Sequence, residues 1–120
     1  MLIQREQGYD KVGFSLRYRF KEESKAEVFC KKLQEHGYEY QKNQNKNGIF
    51  VISLDIETNR LVPDVLQNIH TSLGIIEADF DFFVRFTTEY DHSGIDFPQN
   101  VLNLHKTLGG GIGISIICLS

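Results

Sequence analysis

Val62-Pro63-Asp64-Val65-Leu66-Gln67-Asn68-Ile69-His70-Thr71-Ser72-Leu73-Gly74 aligns without gaps on Phe97-Pro98-Gln99-Asn100-Val101-Leu102-Asn103-Leu104-His105-Lys106-Thr107-Leu108-Gly109, 35 residues later. Pro, Asn, His, Leu and Gly are identical at matched positions. Proline is tolerated in the first turn of a helix and glycine stops one, so each copy reads as a helix with both ends marked. Each copy follows an apolar run, Ile49–Glu57 or Ala78–Tyr90, and leads into another. The chain therefore carries a tandem strand–helix unit over 49–76 and 82–111. Two copies are too few for a solenoid, whose units are stable only in stacks of three or more, so the two are expected as neighbours in one sheet.

Upstream, Val12, Phe14, Leu16, Tyr18 and Phe20 alternate with Ser15, Arg17 and Arg19, the period of a half-buried strand. Ser24-Lys25-Ala26-Glu27 has the pattern of a capping box. It leads into Ala26, Phe29, Cys30 and Leu33 at helical spacing, and Gly37 ends that helix. Tyr38–Lys42 and Ile49–Glu57 then flank the polar stretch Asn43–Gly48, which predicts a hairpin. The order is strand, helix, strand, strand, helix, strand, helix, strand, an α+β arrangement. Strand–helix–strand links favour crossovers between parallel strands and the hairpin reverses direction. A mixed sheet of about five strands with three helices follows, best fitted by a ferredoxin-like two-layer sandwich with one extra helix–strand unit. With the helices on one side, the other side of the sheet is left half-solvated.

Composition sets the class. With 120 residues, 41% hydrophobic and only two prolines, residues 1–120 form a single domain able to build one core without disulfide or metal staples. No apolar run approaches the roughly 20 residues of a membrane helix, so no membrane contact is expected. Met1–Gln7 lacks the basic start and apolar stretch of a secretory signal, and the expected location is the cytoplasm. Cys30 and Cys118 each sit in an apolar pattern and read as buried thiols.

The motifs that resemble chemistry have plainer explanations in folding. Gly109-Gly110-Gly111 follows a helix and precedes a strand, whereas a phosphate loop needs the amides of a helix N-terminus; it reads as a helix stop. His70 and His105 stand at matching places near helix C-termini, where a histidine bonds a free carbonyl and suits the dipole. Glu89-Tyr90-Asp91-His92-Ser93-Gly94-Ile95-Asp96 gathers carboxylates, a histidine and a serine, but most of it is turn and helix-start chemistry. No catalytic residue, metal site or cofactor is expected.

Charge is more informative. Residues 11–48 carry nine Lys/Arg against five Asp/Glu, while residues 77–96 carry six acids against one base, Arg85. If the strands near 49–57 and 78–90 are parallel, their C-terminal ends share an edge, which gathers Asp55, Glu57, Glu89, Asp91 and His92 into an acidic rim. Such a rim disfavours nucleic acid, which basic clusters bind, and favours a basic protein partner. A second candidate surface follows from alternation. Asp81, Phe83, Arg85, Ile117 and Leu119 fall out of phase with the core set Phe80, Phe82, Val84, Phe86, Ile112, Ile114 and Ile116, on a face suited to a partner or a second copy.

Phe82 to Ile117 comprises a strand of alternating aromatics, Ser93-Gly94-Ile95-Asp96-Phe97-Pro98, a helix ending Leu108-Gly109 and a closing Gly113-Ile114-Ser115-Ile116 strand. This stretch resembles the terminal module of small bacterial α+β domains, some of which are similar to immunity proteins that neutralise contact-dependent or other polymorphic toxins. The resemblance implies a cytoplasmic, non-enzymatic protein that blocks a cognate toxin by binding it, and carries over no functional residues. With the acidic rim, it points to a basic toxin domain such as a nuclease. Two other readings stay open: a homodimeric small-molecule sensor, and a metal-assisted hydrolase built on Glu89, Asp91 and His92.

Overall fold

The computed structural model describes residues 11–88 and 97–118. In chain order they form β1 (Lys11–Phe20), α1 (Glu23–Glu35), β2 (Gln41–Gln44), β3 (Phe50–Asp55), α2 (Pro63–Leu73), a 3-10 turn (Glu77–Asp79), β4 (Phe80–Thr88), α3 (Gln99–Leu108) and β5 (Gly111–Cys118). The fold is α+β, a five-stranded mixed sheet with three helices. No helix among the described residues is long and apolar enough to cross a membrane.

The sheet order is β2-β3-β1-β4-β5, antiparallel throughout except for the parallel pair β4 and β5. β3 and β4 run in the same direction, as expected, but they are not neighbours. β1 lies between them, with Leu16 facing Leu54 on one side and Phe82 on the other. The α2 crossover therefore spans two strand spacings, about 10 Å, which matches the width of one helix better than a single spacing does.

Alternation fixes which face is buried. Phe14, Leu16, Tyr18 and Phe20 of β1, Ile52 and Leu54 of β3, and Phe80, Phe82 and Val84 of β4 join one core with Ala26, Phe29 and Leu33 of α1, Leu66 and Ile69 of α2, and Val101, Leu104 and Leu108 of α3. Each large side chain so buried contributes roughly 1.5–3 kcal/mol. The duplicated helices lie side by side and bury matching positions, Leu66 with Val101 and Ile69 with Leu104.

Several boundaries differ from the sequence expectation. α1 starts at Glu23 after Glu22, with no side-chain cap, so Ser24 does not form the capping box. Ser24 already lies inside the first turn, past the position from which a side chain caps the first amides. β2 begins at Gln41 rather than Tyr38, because Glu39 is held instead by buried Asn59. The Asn59 side chain accepts from the Glu39 amide at 2.8 Å and donates to its carbonyl at 2.9 Å. β3 stops at Asp55, where the chain turns. Ile112 and Ile114 sit in register beside Phe82 and Val84 as expected, yet they are 46% and 53% exposed. Among the described residues β5 is the edge strand, and none of their helices covers its core side.

The glycine triplet is constrained by its surroundings. Gly110 has φ near 90°, and a Cβ there would lie 2.7 Å from Phe80 Cε2. Its N–H donates to the Glu77 carboxylate at 2.7 Å, and its carbonyl lies 3.1 Å from His105 Nε2. His105 thus bonds a carbonyl beyond its helix, close to the expected capping role. His70 does not: it is buried and bonded to the Tyr18 hydroxyl.

Candidate protein-binding face

The helices occupy one side of the sheet, and the opposite side carries the residues that alternate out of the core. Cross-strand register arranges them in rows: Gln41, Ser53, Arg17, Asp81 and Gly111 in one, and Asp55, Ser15, Phe83 and Gly113 in the next. A third places Gly13, Arg85 and Ser115 side by side. Small residues around Phe83 leave its ring half-buried rather than covered.

Two contacts order this face. The Arg17 guanidinium carbon lies 4.3 Å from the centre of the Phe83 ring, a cation–π stack of roughly 0.5–1 kcal/mol at a partly exposed site. One row away, Arg19 Nη1 donates to Asp81 Oδ2 at 3.0 Å. That pair is solvent-accessible and adds little stability, but it holds Asp81 in place. The second oxygen, Oδ1, is buried without a hydrogen-bond partner among the described residues.

A depression of about 1,020 Å³ opens on this face, lined among others by Ser15, Arg17, Tyr38, Asp55, Phe83 and Arg85. The loop after α1 supplies its wall. Tyr38 accepts the Val62 amide at 3.2 Å, and Tyr40 accepts from Gln34 at 2.8 Å, so both rings are tethered. Beneath Tyr40, burial pushes the Cys30 thiol above its ordinary range, which keeps it protonated and unreactive.

The expected site residues distribute as follows. Asp55 ends β3 on the open face, where its Oδ1 accepts the amides of Glu57 at 2.7 Å and Thr58 at 3.2 Å. It is a turn-former as well as an exposed carboxylate. Glu57 is exposed in that turn, at the end of the sheet towards which β4 also runs. Glu89, Asp91 and His92 lie outside the described residues. Asp81, Phe83 and Arg85 share the open face of β4. Ile117 stands beside Thr87 in register, and Leu119 lies outside the described residues.

The structure thus brings Asp55 together with Phe83 and Arg85, joining one residue of the expected rim to the expected second surface. Counting charge along the chain missed Arg17, which the topology carries into the same depression as Asp55. Alternation in β1 was the signal that places Arg17 there. Tyr38 and Tyr40 gave no such signal, since their position depends on Asn59, 20 residues distant. Among the described residues, no three of His, Cys, Asp and Glu are arranged to hold a metal ion. Comparison with protein-family models, curated proteins and solved structures finds no significant match.

Proposed function

We propose that this chain is a non-enzymatic protein-binding domain that receives its partner on the open face of the sheet. The observation that carries this reading is the segregation of the helices to one side. It leaves Phe83, stacked by Arg17, and Arg85 presented on the other. Small-molecule sites enclose most of their ligand, typically in roughly 300–1,000 Å³ of concave space, whereas a broad face of mixed polarity with an aromatic centre and polar surround suits a macromolecule.

The resemblance to immunity proteins supports a toxin domain as that partner. Asp55 and Glu57, together with Glu89 and Asp91 of the rim expected from the sequence, support a basic one, a nuclease in particular, with complementary charge speeding encounter and rejecting wrong partners. We read β1 to β4 as a ferredoxin-like sandwich to which α3 and β5 add an edge. On this reading Phe83 is the anchor at the centre of contact, Arg17 serves by stacking on its ring, and Asp55 and Glu57 steer the basic partner.

The test is affinity purification of the tagged chain from its native host at low and high salt, with mass spectrometry of what is retained. A single basic protein held at low salt, weakened at high salt and lost with Phe83→Ala is the expected result. Recovery of the chain alone, with a thermal shift on adding an amino acid or nucleotide, would replace this reading with a small-molecule sensor.

A further inference from the structure

The two edges of the sheet are unlike. β2 is four residues long, wholly exposed and polar, Gln41-Lys42-Asn43-Gln44. Short length and a lysine are devices that keep an edge from pairing with another chain. β5 has neither: Gly111-Ile112-Gly113-Ile114-Ser115-Ile116-Ile117-Cys118 is eight residues without a charge or a proline. Among the described residues nothing pairs with its outer edge. Ile112 and Ile114 stand exposed on the side of the sheet where the helices pack, and α3, the crossover to β5, adds exposed Leu102 to that layer.

We propose that β5 pairs antiparallel with β5 of a second copy of this chain about a two-fold axis normal to the sheet, making one continuous ten-stranded sheet. Three features choose a second copy as the occupant. Directly opposed residues in an antiparallel pair lie on the same face, so a register centred on Ile114 sets the two Ile114 side chains together on the helix side. The strand is uncharged although the chain carries a net charge of -3, so the copies meet at a segment without like-charge repulsion. Glycines 111 and 113 take from an isolated edge strand the side-chain packing that would hold it, and mark a place where another backbone approaches closely. A stable interface needs roughly 800 Å² from each partner, more than one strand edge supplies, so Ile112 and Leu102 must also lie inside it. The open face with Phe83 is left clear, and the dimer is independent of the proposed function.

The experiment is sedimentation velocity on the full chain over micromolar concentrations, with Ile114→Lys and Leu102→Lys variants whose folding is checked by circular dichroism. The expected result is a wild-type species of twice the single-chain mass, and monomers for both variants. A second arm uses Ile114→Cys in a Cys118→Ser background. Paired Cα atoms on the axis lie about 4.5–5.5 Å apart, within disulfide reach, so mild oxidation should give a linked dimer, while Val28→Cys, exposed on α1, should not. This arm decides the case if the lysine variants do not fold. A monomeric wild type, a dimer that survives both lysine variants, or equal crosslinking at residues 28 and 114 would overturn the proposal.

Discussion

The hydroxyl of Tyr18 lies 2.7 Å from Nε2 of His70, between the central strand and the first of the duplicated helices, where neither side chain is more than 4% exposed. Phe80 flanks both rings, with centroids 5.4 Å from Tyr18 and 4.7 Å from His70. Burial lowers the His70 pKa from 6.5 to about 4 and raises that of Tyr18, so both groups are neutral at pH 7. The hydroxyl hydrogen needs an acceptor. Nε2 supplies it, and Nδ1 keeps the ring proton.

This pair sets an acid limit on stability. The unfolded histidine takes up a proton near pH 6.5 and the folded one only near pH 4, so the unfolded state binds more protons between those values. Stability is full above pH 6.5, falls as the pH drops towards 4 and levels off below. The loss is about 2 kcal/mol once solvent screening is allowed for. Urea melts across that range check it, and His70→Gln should flatten this part of the profile.

Tyr18→Phe keeps the ring packing and removes only the hydroxyl. It leaves a buried acceptor on His70 without a partner, at a cost of about 1–3 kcal/mol. Because burial, which this substitution leaves in place, is what lowers the His70 pKa, it should remain below 6.5. Denaturant midpoints measure the first effect and the imidazole NMR titration the second.

Gly110→Ala and Gly111→Ala should part company. At Gly110 a methyl group meets Phe80 and the backbone holds φ at 90°, so the change costs about 2–3 kcal/mol. At Gly111 nothing lies within 4 Å and φ is ordinary, so stability should stay within about 0.5 kcal/mol of wild type or rise. Thermal melts of the two variants, compared side by side, check this.

Asn59→Ala removes both bonds to the Glu39 backbone and one to the carbonyl of Asp55. A loss of about 2–3 kcal/mol is expected from the unpaired groups left behind. The effect should reach the binding face, since this clamp positions Tyr38 and Tyr40. Amide hydrogen exchange should quicken at 38–41 while the core of β1 stays protected.

Asp55→Asn with Glu57→Gln should slow partner association and flatten its salt dependence, whereas Phe83→Ala should act mainly on dissociation. Surface plasmon resonance with the captured partner separates the two rates. An unchanged salt slope in the charge variant would remove those acids from the steering role.

The element order and the buried face were legible because they rest on periodicity. Phe14, Leu16 and Tyr18 at every second position, and Leu66 and Ile69 at helical spacing, declare their faces without knowledge of any partner. Placement of β1 between β3 and β4 was not legible, since it depends on how far a helix carries the chain sideways. The exposure of Ile112 and Ile114 was hidden for a related reason: an apolar residue on the core side of an edge strand has the same pattern as one at the centre. At the site, Asp55, Phe83 and Arg85 could be named one at a time. Their meeting with Arg17 required strand order, and Asp55 reads as a ligand in sequence while half its hydrogen-bonding capacity goes to its own turn.

The central position of β1 also sets the tempo of assembly. It is the first described strand to leave the ribosome, yet its partners come much later: Leu16 waits for Leu54 and then for Phe82. Until both arrive, a ten-residue strand with aromatic side chains has two open edges. Folding should therefore be slow for a chain of this size, rate-limited by closing the longer of these loops, with the nascent protein dependent on holding β1 apart from other chains until β4 has been made.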